Sequence, residues 1–128
     1  MKTLRLVLGD QLSRDLPSLV DLDPAKDLVL MAEVMSEVTY VKHHKRKIAY
    51  LFSAMRHFAN SLGDDDIAVR YRRLDDPDNA GSLAGEVAAA IAAFGPDQIV
   101  VTAPGEYRLA DDMAGWQARF GLAVDIRA

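Results

Sequence analysis

The feature that most restricts the fold is an alternation. Five short runs rich in branched aliphatics occupy residues 3–8 (TLRLVL), 27–33 (DLVLMAE), 67–74 (IAVRYRRL), 98–103 (QIVVTA) and 122–128 (LAVDIRA). Runs of this length and composition, bounded by Gly, Pro, Asp and Asn, read as strands. The second and fourth are nearly continuous apolar stretches, as expected of strands buried on both faces. Between the strands lie helical patterns. From Lys47 to Leu62, the residues Ile48, Leu51, Phe52, Met55, Phe58, Ala59 and Leu62 form one stripe at helical spacing, with Gly63 as its stop. Residues 82–95 put Val87, Ala90, Ile91 and Phe94 on one face ahead of Gly95 and Pro96, and residues 108–121 give a weaker helix interrupted by Gly115. Residues 13–26 have room for one short helix. Strand alternating with helix is the pattern of a parallel sheet covered on both faces. The expected fold is therefore α/β: a doubly wound, Rossmann-like, five-stranded parallel sheet of order 3-2-1-4-5 with helices on both faces.

A chain of 128 residues supplies one core, so residues 1–128 read as a single domain. The net charge of -4 argues against a free-standing nucleic-acid binder, which would carry a basic face. The absence of cysteine excludes disulfides, thiolate metal sites and cysteine nucleophiles. No apolar run reaches the length of a membrane span, and MKTLRLVLGDQL is too quickly polar for a signal peptide. The expectation is a cytoplasmic domain without a membrane partner.

In such sheets ligands bind beyond the carboxyl ends of the strands, where strand order reverses. That point lies between the first and fourth strands. The loops emerging there are GDQLS (9–13), VMSEVTYVKHH (34–44) and PGEYR (104–108), the most chemically loaded in the chain. Gly9 suits a tight turn and a close backbone approach, while Asp10 and Gln11 suit hydrogen bonds to a ribose, a polyol or a heterocycle; Asp10 equally suits a turn. The loop lacks both phosphate-cradling glycine patterns. Glu33 and Glu37 are candidate acceptors for ligand hydroxyls or ring N–H groups, Tyr40 is a candidate stacking ring, and Glu37 equally suits a helix entry. His43 and His44 are adjacent and so do not face one point as an i, i+4 metal pair would. Lys42, Lys45, Arg46 and Lys47 cluster where the long helix begins, against its macrodipole, which points to an anion or an acidic surface at the cleft rim. Residues 75–82 (DDPDNAGS) read as a turn followed by an N-cap at Asn79 or Ser82. Glu106 and Arg108 either pair or hold a partner, and His57 reads as exposed. A phosphoreceiver site is excluded because Asp10 stands without a paired acid and no Lys follows the fifth strand. From the residues alone, the reading stops at a ligand-binding α/β domain, with a nucleotide-binding or ligand-free interaction domain as the alternatives.

Read together, LGDQLS (8–13), AEVMSEVTYVKHHKRKIAYLFSAMRHFA (32–59), RYRRLDDPDNAGSL (70–83) and TAPGEYR (102–108) resemble the N-terminal domain of the photolyase-related proteins, the prokaryotic iron-sulfur branch of the cryptochrome/photolyase family. The resemblance runs over almost the whole chain with the same order of blocks. It implies an N-terminal antenna domain of a longer DNA-repair flavoprotein. The C-terminal helical catalytic domain would hold FAD and a 4Fe–4S cluster and act on UV-damaged DNA as a carbon-carbon lyase, by light-driven repair of pyrimidine (6-4) photoproducts. The antenna implied here is 6,7-dimethyl-8-ribityllumazine. The resemblance places its pocket on Gly9, Asp10 and Gln11, on Glu37, Tyr40 and His43 or His44, and on Gly105 and Glu106. Glu33 and Met35 complete the candidate set, with Met35 or Tyr40 covering a ring face. On this reading the domain itself is not catalytic.

Overall fold

The computed structural model describes residues 2–34 and 45–128; Met35, Glu37, Tyr40, Lys42, His43 and His44 lie outside the described residues. The elements in chain order are β1 (Thr3–Leu6), β2 (Leu28–Ala32), α1 (Lys45–Asp64), β3 (Val69–Arg72), α2 (Leu83–Phe94), β4 (Gln98–Thr102), α3 (Tyr107–Ala114), α4 (Trp116–Phe120) and β5 (Ala123–Arg127). All five strands are parallel and their order is β3-β2-β1-β4-β5, as the alternation predicted. The register sets Leu4 beside both Leu28 and Ile99.

Strand side chains alternate between two layers. On one face, Leu4, Leu6, Leu30, Ile99 and Val101 pack against Val87 and Ala90 of α2, Leu109 and Met113 of α3, and Trp116 of α4. On the other, Val7, Val29 and Met31 meet Met55 and Leu62 of α1, with Leu16 and Leu19 from the segment after β1. Each fully buried aliphatic contributes about 1.5–3 kcal/mol relative to exposure, so the two layers hold the sheet from both sides. Among the described residues no helix is long and apolar enough to cross a membrane.

Three boundaries show how local chemistry acts. First, α1 does not stop at Gly63 but continues to Asp64. Asp66 takes the left-handed conformation (φ 61°), Asp66 N–H donates to Gly63 O and Ile67 N–H to Leu62 O. This is a Schellman closure with Asp in the place glycine usually takes, and Leu62 and Ile67 join the same core cluster as its apolar seal. Second, Ser82 caps α2 by accepting from Gly85 N–H, and Gly95 ends it at φ 65°. Third, Gly115 splits the last helical stretch into α3 and α4.

The segment 13–26 forms a series of turns instead of a short helix. The cause is Arg5, a cation on the central strand that is 4% exposed. Its Nε donates to Asp27 at 2.8 Å and its Nη1 to Ser18 O at 3.0 Å, while Nη2 takes Asp21 O at 3.2 Å. Arg127 takes Pro17 O at 2.9 Å and the Asp21 carboxylate at 2.7 Å. Arg127 and Arg5 together hold Asp21 well below the usual carboxylate range. A helix would commit those backbone carbonyls to its own N–H groups, so the buried guanidinium selects the turns.

Arg5→Ala should destabilise the domain by about 3–5 kcal/mol, because it leaves the buried Asp27 carboxylate without its cation. Urea unfolding of the variant checks this; a loss under about 1 kcal/mol, the scale of a surface pair, contradicts the account.

Candidate functional site

Strand order reverses between β1 and β4, the point where sheets of this kind place a ligand crevice beyond the carboxyl ends of the strands. The turn Leu8–Gln11, closed by Gln11 N–H to Leu8 O at 3.0 Å, forms one lip. Gln11 reaches across it: its Nε2 donates to Thr102 O and Ala103 O at 3.3 Å each. These two acceptors fix which end of the carboxamide is nitrogen. The other end, Oε1, is buried and accepts no hydrogen bond from the described residues. A buried carbonyl oxygen without a donor forfeits about 1–3 kcal/mol, which a ligand donor would restore.

Gly9 sits in the same turn and against α1, where a Cβ would come within 3.0 Å of Met55 Sδ and 3.3 Å of Leu51 Cδ1. Its value is the close approach of turn to helix. Asp10 is exposed at the crest of the turn. Across the crevice, Gly105 is exposed with open space where a Cβ would stand. Glu106 N-caps α3, its Oε2 accepting from Leu109 N–H at 2.9 Å, and Tyr107 beside it is 80% exposed. The structure therefore brings Gly9, Asp10, Gln11, Gly105 and Glu106 to the carboxyl ends of the two central strands.

Glu33 lies just beyond β2 and is fully buried. Arg56 of α1 grips it bidentately, Nε to Oε2 at 2.7 Å and Nη2 to Oε1 at 2.8 Å. The Tyr71 hydroxyl donates to Oε2 and Leu74 N–H to Oε1 at 3.0 Å. The Glu33 carbonyl accepts from Asn79 Nδ2 at 2.8 Å. Burial alone would raise the carboxyl, but the hydrogen bonds from Arg56, Tyr71 and Leu74 outweigh it and hold Glu33 below its ordinary 4.5. Burial and then the Glu33 hydrogen bond push the Tyr71 phenol well above its ordinary 10.0. With its oxygens engaged by four protein donors, this carboxylate braces the strand ends behind the crevice.

Residues 75–82 act as the turn and cap expected of them. Asn79 N–H closes on Asp76 O, Ser82 caps α2, and Asn79 additionally ties this turn to Glu33. Glu86, buried in the first turn of α2, takes Arg72 Nε at 3.0 Å and Ala80 N–H at 2.7 Å. The residues that sequence reasoning missed are Arg5, Arg56, Tyr71 and Glu86. Their signal was faint: Arg5, Arg56 and Glu86 are lone charges in an apolar strand or helix and Tyr71 an ordinary strand ring, with no neighbour in sequence to show the partner. His57 is exposed, as its position off the stripe implied.

The fold and its strand order define a doubly wound, Rossmann-like α/β domain, and comparison gives its family. Residues 5–128 match the family described as deoxyribodipyrimidine photo-lyase-related protein, and the chain belongs to that family. Over 128 residues it is 51% identical to a protein named (6-4) photolyase from Agrobacterium fabrum, a match that covers 100% of this chain and 25% of that relative. The chain thus spans a quarter of that relative's length.

Because Glu33 titrates lower in the folded state than in the unfolded chain, its contribution is complete above the ordinary value of 4.5 and drains away as pH falls through its lowered folded value. Urea midpoints measured from neutral to acid pH should show wild type and Glu33→Gln far apart at neutrality and converging in acid. Parallel curves would mean that the carboxylate charge does not hold the node.

Proposed function

We propose that this domain is the antenna-binding module of a light-driven DNA-repair flavoprotein, holding 6,7-dimethyl-8-ribityllumazine in the crevice between β1 and β4. One observation carries the reading: the buried Gln11 Oε1, oriented by the Thr102 and Ala103 carbonyls and without a donor among the described residues. A lumazine offers an imide N–H on a planar ring and hydroxyls on a ribityl tail, so it supplies the missing donor. Asp10, exposed on the same turn, suits a ribityl hydroxyl. Glu37, Tyr40, Met35 and His43 or His44 follow β2, whose carboxyl end lies beside that of β1, and their chemistry suits ring nitrogens, stacking and hydroxyls. The domain's residues bind and orient the chromophore and keep water from it; absorption of light belongs to the chromophore. Membership of the family, and likeness to a relative named (6-4) photolyase, support the reading.

On this proposal, repair of pyrimidine (6-4) photoproducts in UV-damaged DNA is the work of the longer protein. Its C-terminal helical domain would carry FAD and the 4Fe–4S cluster, for which this chain has no cysteine ligand. The domain contributes excitation energy and a docking face.

A fluorescence titration of the 128-residue chain with the lumazine, with FMN and AMP as controls, tests it. Saturable lumazine binding is expected. Gln11→Leu should weaken it by about tenfold, the effect of about 1.4 kcal/mol, and Glu37→Ala should weaken it too. Preference for AMP would replace the proposal with a nucleotide-binding domain, and binding of none of the three would leave an interaction domain.

A further inference from the structure

The β3 edge of the sheet is open. In the parallel ladder with β2, the carbonyls of Ala68 and Arg72 receive the N–H groups of Val29 and Glu33. Ladder alternation therefore turns the N–H and C=O of Val69 and Tyr71 outward, and among the described residues no strand lies beyond them. Alongside runs a groove walled by Ala59, Asn60, Gly63 and Asp64 of α1 and floored by Ile67, Val69 and Tyr71. The opposite face of the same strand carries Arg70 and Arg72. Arg72 is matched by Glu86 and Asp76. Among the described residues Arg70 makes no ion pair with a carboxylate, and its buried Nε has no acceptor.

These three features converge on Val69–Arg72, and together they specify an occupant. We propose that the β3 edge docks an extended acidic segment of a partner protein, which adds as a sixth strand. Its backbone would pair with Val69 and Tyr71, its apolar side chains would enter the groove, and its carboxylates, on the alternate face, would meet Arg70. Addition of a strand at an exposed edge takes affinity from main-chain hydrogen bonds and specificity from alternate side chains. Charge argues against a second copy of this chain. Antiparallel pairing of two β3 edges that joins Val69 to Tyr71 of the other copy, and so uses both open residues, sets Arg70 opposite Arg70, and like charges directly opposite are unfavourable. Asp64 on the groove wall likewise keeps carboxylates off the groove face and selects the alternation.

The test uses the whole 128-residue chain and a synthetic peptide alternating valine with glutamate, with a valine–lysine peptide as its counterpart. Amide hydrogen exchange read residue by residue should show Val69 and Tyr71 slowed by about tenfold or more with the glutamate peptide and unchanged with the lysine peptide. Arg70→Gln should weaken the glutamate peptide by about tenfold, Arg70→Lys by less, with thermal midpoints near wild type. The comparison of the two peptides on wild type stands even if a variant folds poorly. The proposal is overturned if neither amide is slowed, if both peptides act equally, or if the same amides are slowed by self-association without peptide.

Discussion

The rest of the structure depends on how one buried carboxylate is neutralised. Glu33 sits where β2 ends, with no exposed surface, and an isolated charge there would be prohibitive. It persists because Arg56 brings a fork-shaped guanidinium from α1, Tyr71 a hydroxyl from β3 and Leu74 a backbone N–H from the turn beyond. Each donor belongs to a different part of the chain, so satisfying the carboxylate sets the distance from helix to sheet and from β2 to β3 at once. Apolar packing alone tolerates sliding by fractions of an ångström; a bidentate pair with a third and fourth donor does not. The crevice between β1 and β4 is built on strands whose neighbours are fixed in this way.

The same device recurs at two more points. Glu86 joins α2 to Arg72 and the Ala80 amide, and Arg5 joins β1 to Asp27 and to the carbonyls of the following turns. All three nodes hold a buried charge against a small sheet. Each connects elements distant in sequence that the apolar layers merely press together. The nodes lie off the mouth of the crevice, which leaves Asp10 exposed there and Gln11 with an unfilled acceptor.

The strands and their order were legible because apolar runs on a parallel sheet have few other uses, and the right-handed crossover leaves few arrangements. Ser82 and Gly95 announced the ends of α2 by their types. Gly63 misled: glycine is the usual helix terminator, yet here Asp66 takes the left-handed position because Ile67 can then seal against Leu62. Residues 13–26 misled for a different reason. Their turns answer to Arg5 and Arg127, one before the segment and one at the far end of the chain, and local pattern holds no record of either. Strand order alone puts the ligand end of the sheet between β1 and β4, whereas the open acceptor of Gln11 depends on Thr102 and Ala103, some ninety residues away, claiming its nitrogen. Glu33 stood out as a candidate by chemistry, but its partners, 23 and 38 residues further along, were invisible in sequence.

The turns over β1 and β5 make the two sides of the sheet unlike in kind. The side facing α2, α3 and α4 is closed by aliphatic and aromatic contact, and such closure weakens on cooling as the driving force from water fades. The opposite side has its own apolar layer against α1, and beside it, around Arg5, Asp21 and Arg127, the turns are closed by charge and backbone carbonyls, which yield to protons. Cold would loosen both apolar layers, whereas acid would act first on the turns that Arg5 and Arg127 hold.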